Sequence, residues 1–445
     1  MTLLREVCIL SPWLDLRVPC GLVFEQMQDI TISIQGSKPL KGSVAISGAK
    51  NAALPELAAV CLSSETIEFH NVPLVEDIKV MHAALGEIGA QGEISGNSIR
   101  ETMSVLRSPL VSVQTAQTTR ASILLLGPLL ARHGYAKISF PGGCSIGERK
   151  IDFHLQGLEQ MGAEIQSESE YIVARCRRLK GIEYIFPGKT VTGTENLLMA
   201  ATLAEGTTVL GNCALEPEVT DLIHLLQEMG ADISGPDGET VVVRGRTRLH
   251  GASHRIIPDR IEAGTYLIAG CFAGNEIHLQ GVIPEHLGRL LEILKDMGAD
   301  ITVSAEAIYV KGGKSLAPAD VITKPYPAFP TDLQAQLTTL MTQADGVSRI
   351  RETIFNDRFR HVGELNRLGA EIKIQNDTAI IKGPTRLRGA VLKTTDLRAS
   401  AALVLGGLIA EGETNIQNSY QLFRGYENMP DKLQKLGAAI TISRG

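Results

Sequence analysis

The chain has 445 residues, 44% hydrophobic and 21% charged, with a net charge of −6. That balance excludes a disordered or collagen-like chain, and the slight acidity argues against a nucleic-acid coat or a polybasic membrane binder. No stretch approaches the roughly 20 uninterrupted apolar residues of a membrane helix, and at about 150 residues per domain two or three domains are expected. Aromatic residues reach only 4% against 44 glycines, which points to small aliphatic cores repeated many times.

In chain order, the first 28 residues carry Arg5, Asp15, Arg17 and Glu25 among apolar residues. They contain no clean hydrophobic run leading to a small-residue cleavage site, so they do not read as a signal peptide. Seven cysteines fall at positions 8, 20, 61, 144, 176, 213 and 271. The number is odd and no CxxC pair occurs, so neither a disulfide framework nor a zinc site is suggested, and a reducing cytoplasm is expected. Walker, GxGxxG, HExxH and GxSxG motifs are absent, which removes support for nucleotide hydrolysis, nicotinamide chemistry and metalloprotease activity.

From residue 89 onward a repeat dominates. An apolar residue, Gly, Ala and then apolar alternation recur at Gly89, Gly162, Gly230, Gly298, Gly369 and Gly437, spaced by 73, 68, 68, 71 and 68 residues. Before each Gly-Ala, apolar residues three or four apart predict a helix closed by a Gly C-cap. After it, period-two alternation predicts a strand. About 40 residues upstream of each glycine lies an Ala/Leu-rich helical run too apolar to face water, such as AALPELAAVCL or RASAALVLGGLIAEGETNI. Each unit therefore reads as βαβαββ, with one helix buried all round and one amphipathic. Six units divide naturally into two α/β domains of three repeats. The buried helices start at Ser47-Gly-Ala-Lys-Asn, Thr331-Asp332 and Thr395-Asp396, whose side chains suit N-caps. Parallel helices in one domain would converge their N-termini on one face and make an anion site there.

Candidate chemistry follows the same order. Lys50 and Asn51 open a buried helix, where a solvated charge and an anion ligand are equally good readings. Arg120, Arg398 and Arg424 lie beside small or apolar residues. Their forks suit phosphate and carboxylate, although Arg398 could simply pair with Asp396. The stretch 140–152, FPGGCSIGERKID, surrounds Cys144 with glycines and follows it with Arg149 and Lys150. Glycines make a mobile loop, and nearby cations favour thiolate; a small turn residue is the bland alternative. Asp332, fixed by a Pro-rich approach, could be an N-cap or a general base for an alcohol. Asp259 and Glu262 occupy a similar station one repeat earlier.

Seven segments in order, SGAKNAALP, FPGGCSIGERKID, IPDRIEAGTYL, PYPAFPTDLQAQ, ETIFNDRF, TTDLRASAAL and RGYENMPDKL, resemble the UDP-N-acetylglucosamine 1-carboxyvinyltransferase family of enolpyruvyl transferases. The likeness runs from about Ile30 to the C-terminal end. It implies an α/β fold of two inside-out, barrel-like domains: residues 30–50 with 259–445 as the catalytic domain, and 51–258 as a second domain carrying the Cys144 loop. It implies transfer of enolpyruvate from phosphoenolpyruvate to the 3′-hydroxyl of UDP-N-acetylglucosamine, the first committed step of peptidoglycan synthesis. No cofactor, metal or obligatory protein partner is implied. The resemblance makes Cys144 the loop acid and Asp332 the base. It assigns Lys50, Arg149 and Arg424 to the phosphate and carboxylate, with Arg398 assisting. Asn51 and Ile354 would contact the sugar. Arg120, the run Arg149, Lys150, Ile151, Asp152 and Phe153, and the run Lys189, Thr190, Val191 and Thr192 would bind the UDP part.

Two departures stand out. Lys150 occupies a place where the family usually has Pro, and residues 1–29 lie outside the pattern, so translation is expected to start at Met27. Two rivals are the sister transferase acting on shikimate 3-phosphate, which would show a different N-terminal Lys-Ser motif, and a silent sugar-nucleotide sensor, which would have no reason to keep acid and base together. If Cys144 is the loop acid, the phosphoenolpyruvate-like epoxide fosfomycin alkylates it, faster with UDP-N-acetylglucosamine present. Peptide mass mapping reads the adduct, and full sensitivity of Cys144→Ser would overturn the assignment.

Overall fold

A computed structural model describes residues 30–114, 119–140, 151–313 and 315–444. Cys144, Arg149 and Lys150 lie outside the described residues, as does the segment before Ile30. One repeat serves for all. Strand Glu183–Ile185 leads into helix Val191–Ala201, strand Thr207–Gly211, helix Pro217–Glu228, and the strands Asp232–Ser234 and Val241–Arg244. The first strand pairs parallel with the second, the second antiparallel with the fourth, and the fourth antiparallel with the third. Among the described residues, all six four-stranded sheets repeat this order of one parallel and two antiparallel pairings. The expected βαβαββ unit is thus the unit of the fold.

The glycines that mark the repeat end its amphipathic helices. All six have φ between +91° and +123°, the region where a side chain is strained. The following alanine N–H closes each helix by reaching back five residues to a leucine carbonyl: Ala90 to Leu85, Ala163 to Leu158, Ala231 to Leu226, Ala299 to Leu294, Ala370 to Leu365 and Ala438 to Leu433, at 2.9–3.2 Å. This is the Schellman closure, in which the residue after the glycine also packs on the helix end. It explains why leucine, glycine and alanine recur at that spacing.

The apolar helices fill the interior. Every residue of Arg260–Gly270 is buried, as is every residue of Gln334–Met341. The run RASILLLGPLLA departs from a single helix: a tight 3₁₀ segment, Arg120–Leu125, precedes the α-helix Leu126–His133. Helices buried on all sides need close approach, and small residues permit it. A Cβ on Gly264 would sit 2.6 Å from the Leu333 side chain, and the Thr339 hydroxyl donates to the Ala402 carbonyl at 3.2 Å. Two hydrophobic cores result. One is built from residues between Ala49 and Ile256, the other from Ile32 to Ile46 together with Ile261 to Ile440.

The chain passes between the cores twice. Strand Lys41–Ala45 pairs with Glu276–Gln280, and Ala252–Arg255 pairs with Thr66–His70. The two passages run side by side: Ala49 N–H donates to the Ile257 carbonyl at 2.7 Å and Asp259 N–H to the Ser47 carbonyl at 2.8 Å. At Gly48 an added Cβ would lie 1.7 Å from the Asn71 carbonyl oxygen, so no other residue fits. Strand Ile30–Gln35 sits between Glu413–Gln417 and Ala439–Arg444, so the first described strand completes the last repeat.

Gly298 has φ +92° and open space around a would-be Cβ, whereas Gly288 has the space without the positive φ. Gly298→Ala is therefore expected to cost about 1–2 kcal/mol from backbone strain alone, and Gly288→Ala, at a helical position, to stabilise by about 0.4–1 kcal/mol. Urea denaturation of the two variants checks this.

Candidate active site

The helix starts meet beside the two passages. Lys50 opens helix Lys50–Ala59, and its backbone N–H donates to Asp259 Oδ2 at 3.3 Å. Asp259 caps its own helix, Arg260–Gly270, through the N–H groups of Ile261 and Glu262. Asp396 caps Leu397–Ile409 through Arg398 N–H and Ala399 N–H at 2.9 and 3.0 Å. Two of the expected caps do not act as caps. Ser47 instead receives Lys432 Nζ at 2.8 Å and donates to Glu427 Oε2 at 2.6 Å. Asp332 lies in a 3₁₀ turn, Thr331–Leu333, with its carboxylate directed at two arginines rather than at the helix N–H groups. Tertiary charge has overridden local capping in both cases.

Two acid-centred clusters organise the site. Asp77, 5% exposed, accepts from Lys50 Nζ at 3.2 Å and from Arg424 Nε at 2.9 Å. Burial alone would raise its carboxyl, but Lys50 and Arg424 outweigh burial and hold it below the ordinary value. Asp332 accepts from Arg358 Nη2 at 2.7 Å and from Arg398 Nη2 at 2.8 Å. Arg398 thus pairs with Asp332 and not with Asp396, and it stacks 5.4 Å from the Tyr426 ring centre. Burial pushes the Lys50 ammonium down; Asp77 opposes this, and the charges of Arg398 and Arg424 add to it. In these pairings four cations, Lys50, Arg358, Arg398 and Arg424, are set against two carboxylates, Asp77 and Asp332, which leaves an excess of positive charge within the pairings. Such an excess, partly desolvated and beside helix N-termini, suits an anion of two or more charges.

A second layer holds these groups in place. Lys432 Nζ donates to Glu262 Oε1 at 2.6 Å, and Ser47 N–H donates to Glu262 Oε2 at 2.7 Å. Burial nevertheless pushes the Glu262 carboxyl up to about 7. Glu352 takes the Thr331 hydroxyl on one oxygen and Ile354 N–H on the other, which ties Ile354 to the turn carrying Asp332. Glu427 accepts from Leu74 N–H and Asn97 Nδ2 as well as from Ser47, and Arg260 Nε donates to Glu218 at 2.9 Å. With Asp77–Arg424, these contacts tie the two cores together.

The structure sorts the residues singled out above into groups. Lys50, Asp332, Arg398 and Arg424 are brought together, with Asn51 next to Lys50 on the same first turn. Arg120 opens its 3₁₀ segment near His154. His154 Nε2 donates to Thr192 Oγ1 at 3.2 Å, while Nδ1 accepts from Asn196 Nδ2 at 3.0 Å. Arg120 and Thr192 therefore share one neighbour. Ile151, half-buried, and exposed Asp152 lie at the start of helix Asp152–Gln160, followed by Phe153. Thr190 caps the helix that Val191 opens, and Lys189 is engaged by the Cys213 carbonyl and Glu239. Sequence reasoning missed Asp77 and Arg358. Asp77 has no motif around it, and the Asp77–Arg424 link spans 347 residues. Arg358 lies within ETIFNDRF, where its position beside Phe359 was the only signal.

The geometry can be set against known proteins. The family model for EPSP synthase (3-phosphoshikimate 1-carboxyvinyltransferase) matches residues 34–433. A curated UDP-N-acetylglucosamine 1-carboxyvinyltransferase from Koribacter versatilis (strain Ellin345) is 50% identical over 92% of this chain and 95% of its own length. One of the same name from Magnetococcus marinus is 48% identical over 92% and 98%. The chain belongs to the UDP-N-acetylglucosamine 1-carboxyvinyltransferase family. Among solved structures, the enolpyruvyl transferase NikO from Streptomyces tendae superposes with a TM-score of 0.85 at 25% identity, over 94% of this chain and all of that one. An EPSP synthase from Acinetobacter baumannii shares the fold, with a TM-score of 0.73 at 21% identity over 93% of this chain and all of that one. The fold is therefore the enolpyruvyl transferase fold.

His154 supplies a pH test. Burial, reinforced by Arg120, pushes its imidazole down to about 3, against an ordinary value near 6.5. The unfolded chain then binds the extra proton first. Its contribution to stability is full above pH 6.5 and is lost as pH falls toward 3. His154→Gln is expected to flatten the loss of stability between pH 6.5 and 4, as read from urea midpoints.

Proposed function

We propose that this chain transfers the enolpyruvyl group of phosphoenolpyruvate to the 3′-hydroxyl of UDP-N-acetylglucosamine and releases phosphate. The observation that carries this reading is the pair of clusters, Lys50–Asp77–Arg424 and Arg358–Asp332–Arg398, at the mouth between the two cores. Family membership supports the chemistry, and the excess positive charge suits a substrate with both a phosphate and a carboxylate. The units built on residues 51–258 and on 30–50 with 259–445 act as the two jaws.

In this reading Lys50 and Arg424 take the phosphate and carboxylate as Asp77 yields part of its hold on them, and Arg149 and Arg398 assist. Asp332 accepts the proton of the sugar hydroxyl as the oxygen bonds to C2 of phosphoenolpyruvate. Cys144 delivers a proton to the C3 methylene, giving a tetrahedral ketal. Loss of a C3 proton and cleavage of the C2–O bond then regenerate the double bond and expel phosphate. The fixed cations stabilise the charge that gathers on the departing group. Arg120, Thr192 and the stretch from Arg149 to Phe153 receive the nucleotide, with Lys189, Thr190 and Val191 beside them. Asn51 and Ile354 contact the sugar. Among the described residues no helix is long and apolar enough to cross a membrane. A cytoplasmic location is part of this reading, and the four described cysteines that stand as free thiols support it.

Phosphate release from phosphoenolpyruvate, measured with UDP-N-acetylglucosamine and separately with shikimate 3-phosphate, tests the proposal. Release with the sugar nucleotide alone is expected; release with the shikimate ester alone would overturn the substrate. Asp332→Asn is expected to bind the sugar nucleotide with little change and to lower kcat by about 10²–10⁴-fold, the usual weight of a general base.

A further inference from the structure

One buried cluster plays no part in that chemistry. Glu56, on helix Lys50–Ala59, is 0% exposed, and Asp221, on helix Pro217–Glu228, is 4% exposed. His254, on strand Ala252–Arg255, is 5% exposed. One ligand atom from each lies within 4.8 Å of the other two. Both Glu56 oxygens and His254 Nε2 are buried without a hydrogen-bond partner. Unpartnered charged groups in a dry interior are costly, and the usual remedies are a paired charge or a metal ion. Burial, with the neighbouring carboxylates Asp221, Glu195 and Glu228, pushes the Glu56 carboxyl well above its ordinary range, and the one titratable cation within 4 Å of it among the described residues is His254, at 3.8 Å.

The geometry favours an ion between the three groups. His254 Nε2 lies 3.3 Å from Asp221 Oδ1 and 3.8 Å from Glu56 Oε1. Ligands about 2.0–2.1 Å from a tetrahedral metal stand about 3.3–3.4 Å apart. The spacing of His254 Nε2 and Asp221 Oδ1 lies within hydrogen-bond range and also matches two ligands sharing one metal. The other ring nitrogen, Nδ1, meets Glu228 Oε2 at 3.0 Å. A carboxylate there holds a proton on Nδ1, the usual support of a metal-binding imidazole, and Nε2 faces Glu56 and Asp221, so an ion would bind there by displacing the Nε2 proton that these acids otherwise favour. The second Asp221 oxygen is held by Ile257 N–H at 3.0 Å.

We propose that Glu56, Asp221 and His254 form a binding site for one divalent transition-metal ion, zinc being the probe of choice, with Glu228 positioning the imidazole. One nitrogen and two oxygens suit zinc, cobalt or manganese. The ion joins the helix that begins at Lys50, the helix Pro217–Glu228 and the strand returning to Asp259. Glu56 lies six residues from Lys50, about 9 Å along the helix axis, so the ion is a structural tie behind the site and not a participant in the reaction.

The test uses full-length protein carrying Cys144→Ser, which removes the loop thiol as a competing ligand, stripped with chelator and dialysed. Calorimetric titration with zinc is expected to show one site per chain with a micromolar or tighter Kd. Cobalt is expected to give a visible d–d band at the same stoichiometry, and zinc to raise the thermal midpoint. Glu56→Gln and His254→Gln are expected to abolish all three signals. Glu228, whose side chain is 45% exposed, gives a variant that folds regardless: Glu228→Gln is expected to weaken binding about 10–100-fold. Absence of a site tighter than 100-fold above that Kd, or zinc binding unchanged in Glu228→Gln and in whichever ligand variant folds, would overturn the proposal and leave a cluster held by shared protons.

Discussion

The structure turns on Asp77. Its carboxylate lets the Lys50 ammonium and the Arg424 guanidinium, far apart in the chain, sit close together. Removing water from Lys50 and Arg424 is costly, and like charges at short range add to that cost. A single acid held below its ordinary range by both cations resolves the conflict and at the same time bridges the cleft. The bridge occupies the cations through charge alone, so an anion of higher charge can compete for them. Cleft geometry and substrate affinity are then two readings of one electrostatic balance.

The same logic runs through the neighbouring groups. Asp332 is divided between Arg358 and Arg398, and Glu262 between Lys432 and the Ser47 amide. In each case an acid sits between two donors, at least one of them from a distant part of the chain. The helices are otherwise mostly Ala, Leu, Thr and Gly, which lets them pack closely inside the sheets, with a few buried polar groups such as Glu56, Asn196 and Thr339 beyond the first turn.

The repeat is legible in the sequence because its signal is local. Leucine, glycine and alanine at fixed offsets encode a helix end whose hydrogen bond spans five residues, and six copies make the periodicity plain. Lys50, Arg398 and Arg424 are legible too, since charged residues in apolar company stand out. What the sequence does not show are partners. Asp396 is Arg398's neighbour in the chain, yet its carboxylate caps the helix and the guanidinium reaches Asp332. Ser47 has the side chain of an N-cap, yet the paired passages carry Asp259 to Lys50 N–H and leave Ser47 to Glu262, Glu427 and Lys432. Asp77 carries no motif because its meaning comes only from being placed between two cations. Glu56, Asp221 and His254 are hidden for the same reason, spread over three elements with no ligand spacing.

The strand Ile30–Gln35, lodged between Glu413–Gln417 and Ala439–Arg444, also dictates an order of events during synthesis. The core built from residues 49–256 is continuous in the chain and has all its strands once residue 255 has emerged from the ribosome. The other core has its first strand from the outset but must wait for the last one before its sixth sheet can close. A nascent chain therefore holds Ile30, Ile32 and Ile34 without their final partners for nearly the whole of translation. The middle unit acts in that interval as a finished body with two loose ends, and the cleft can exist only after release.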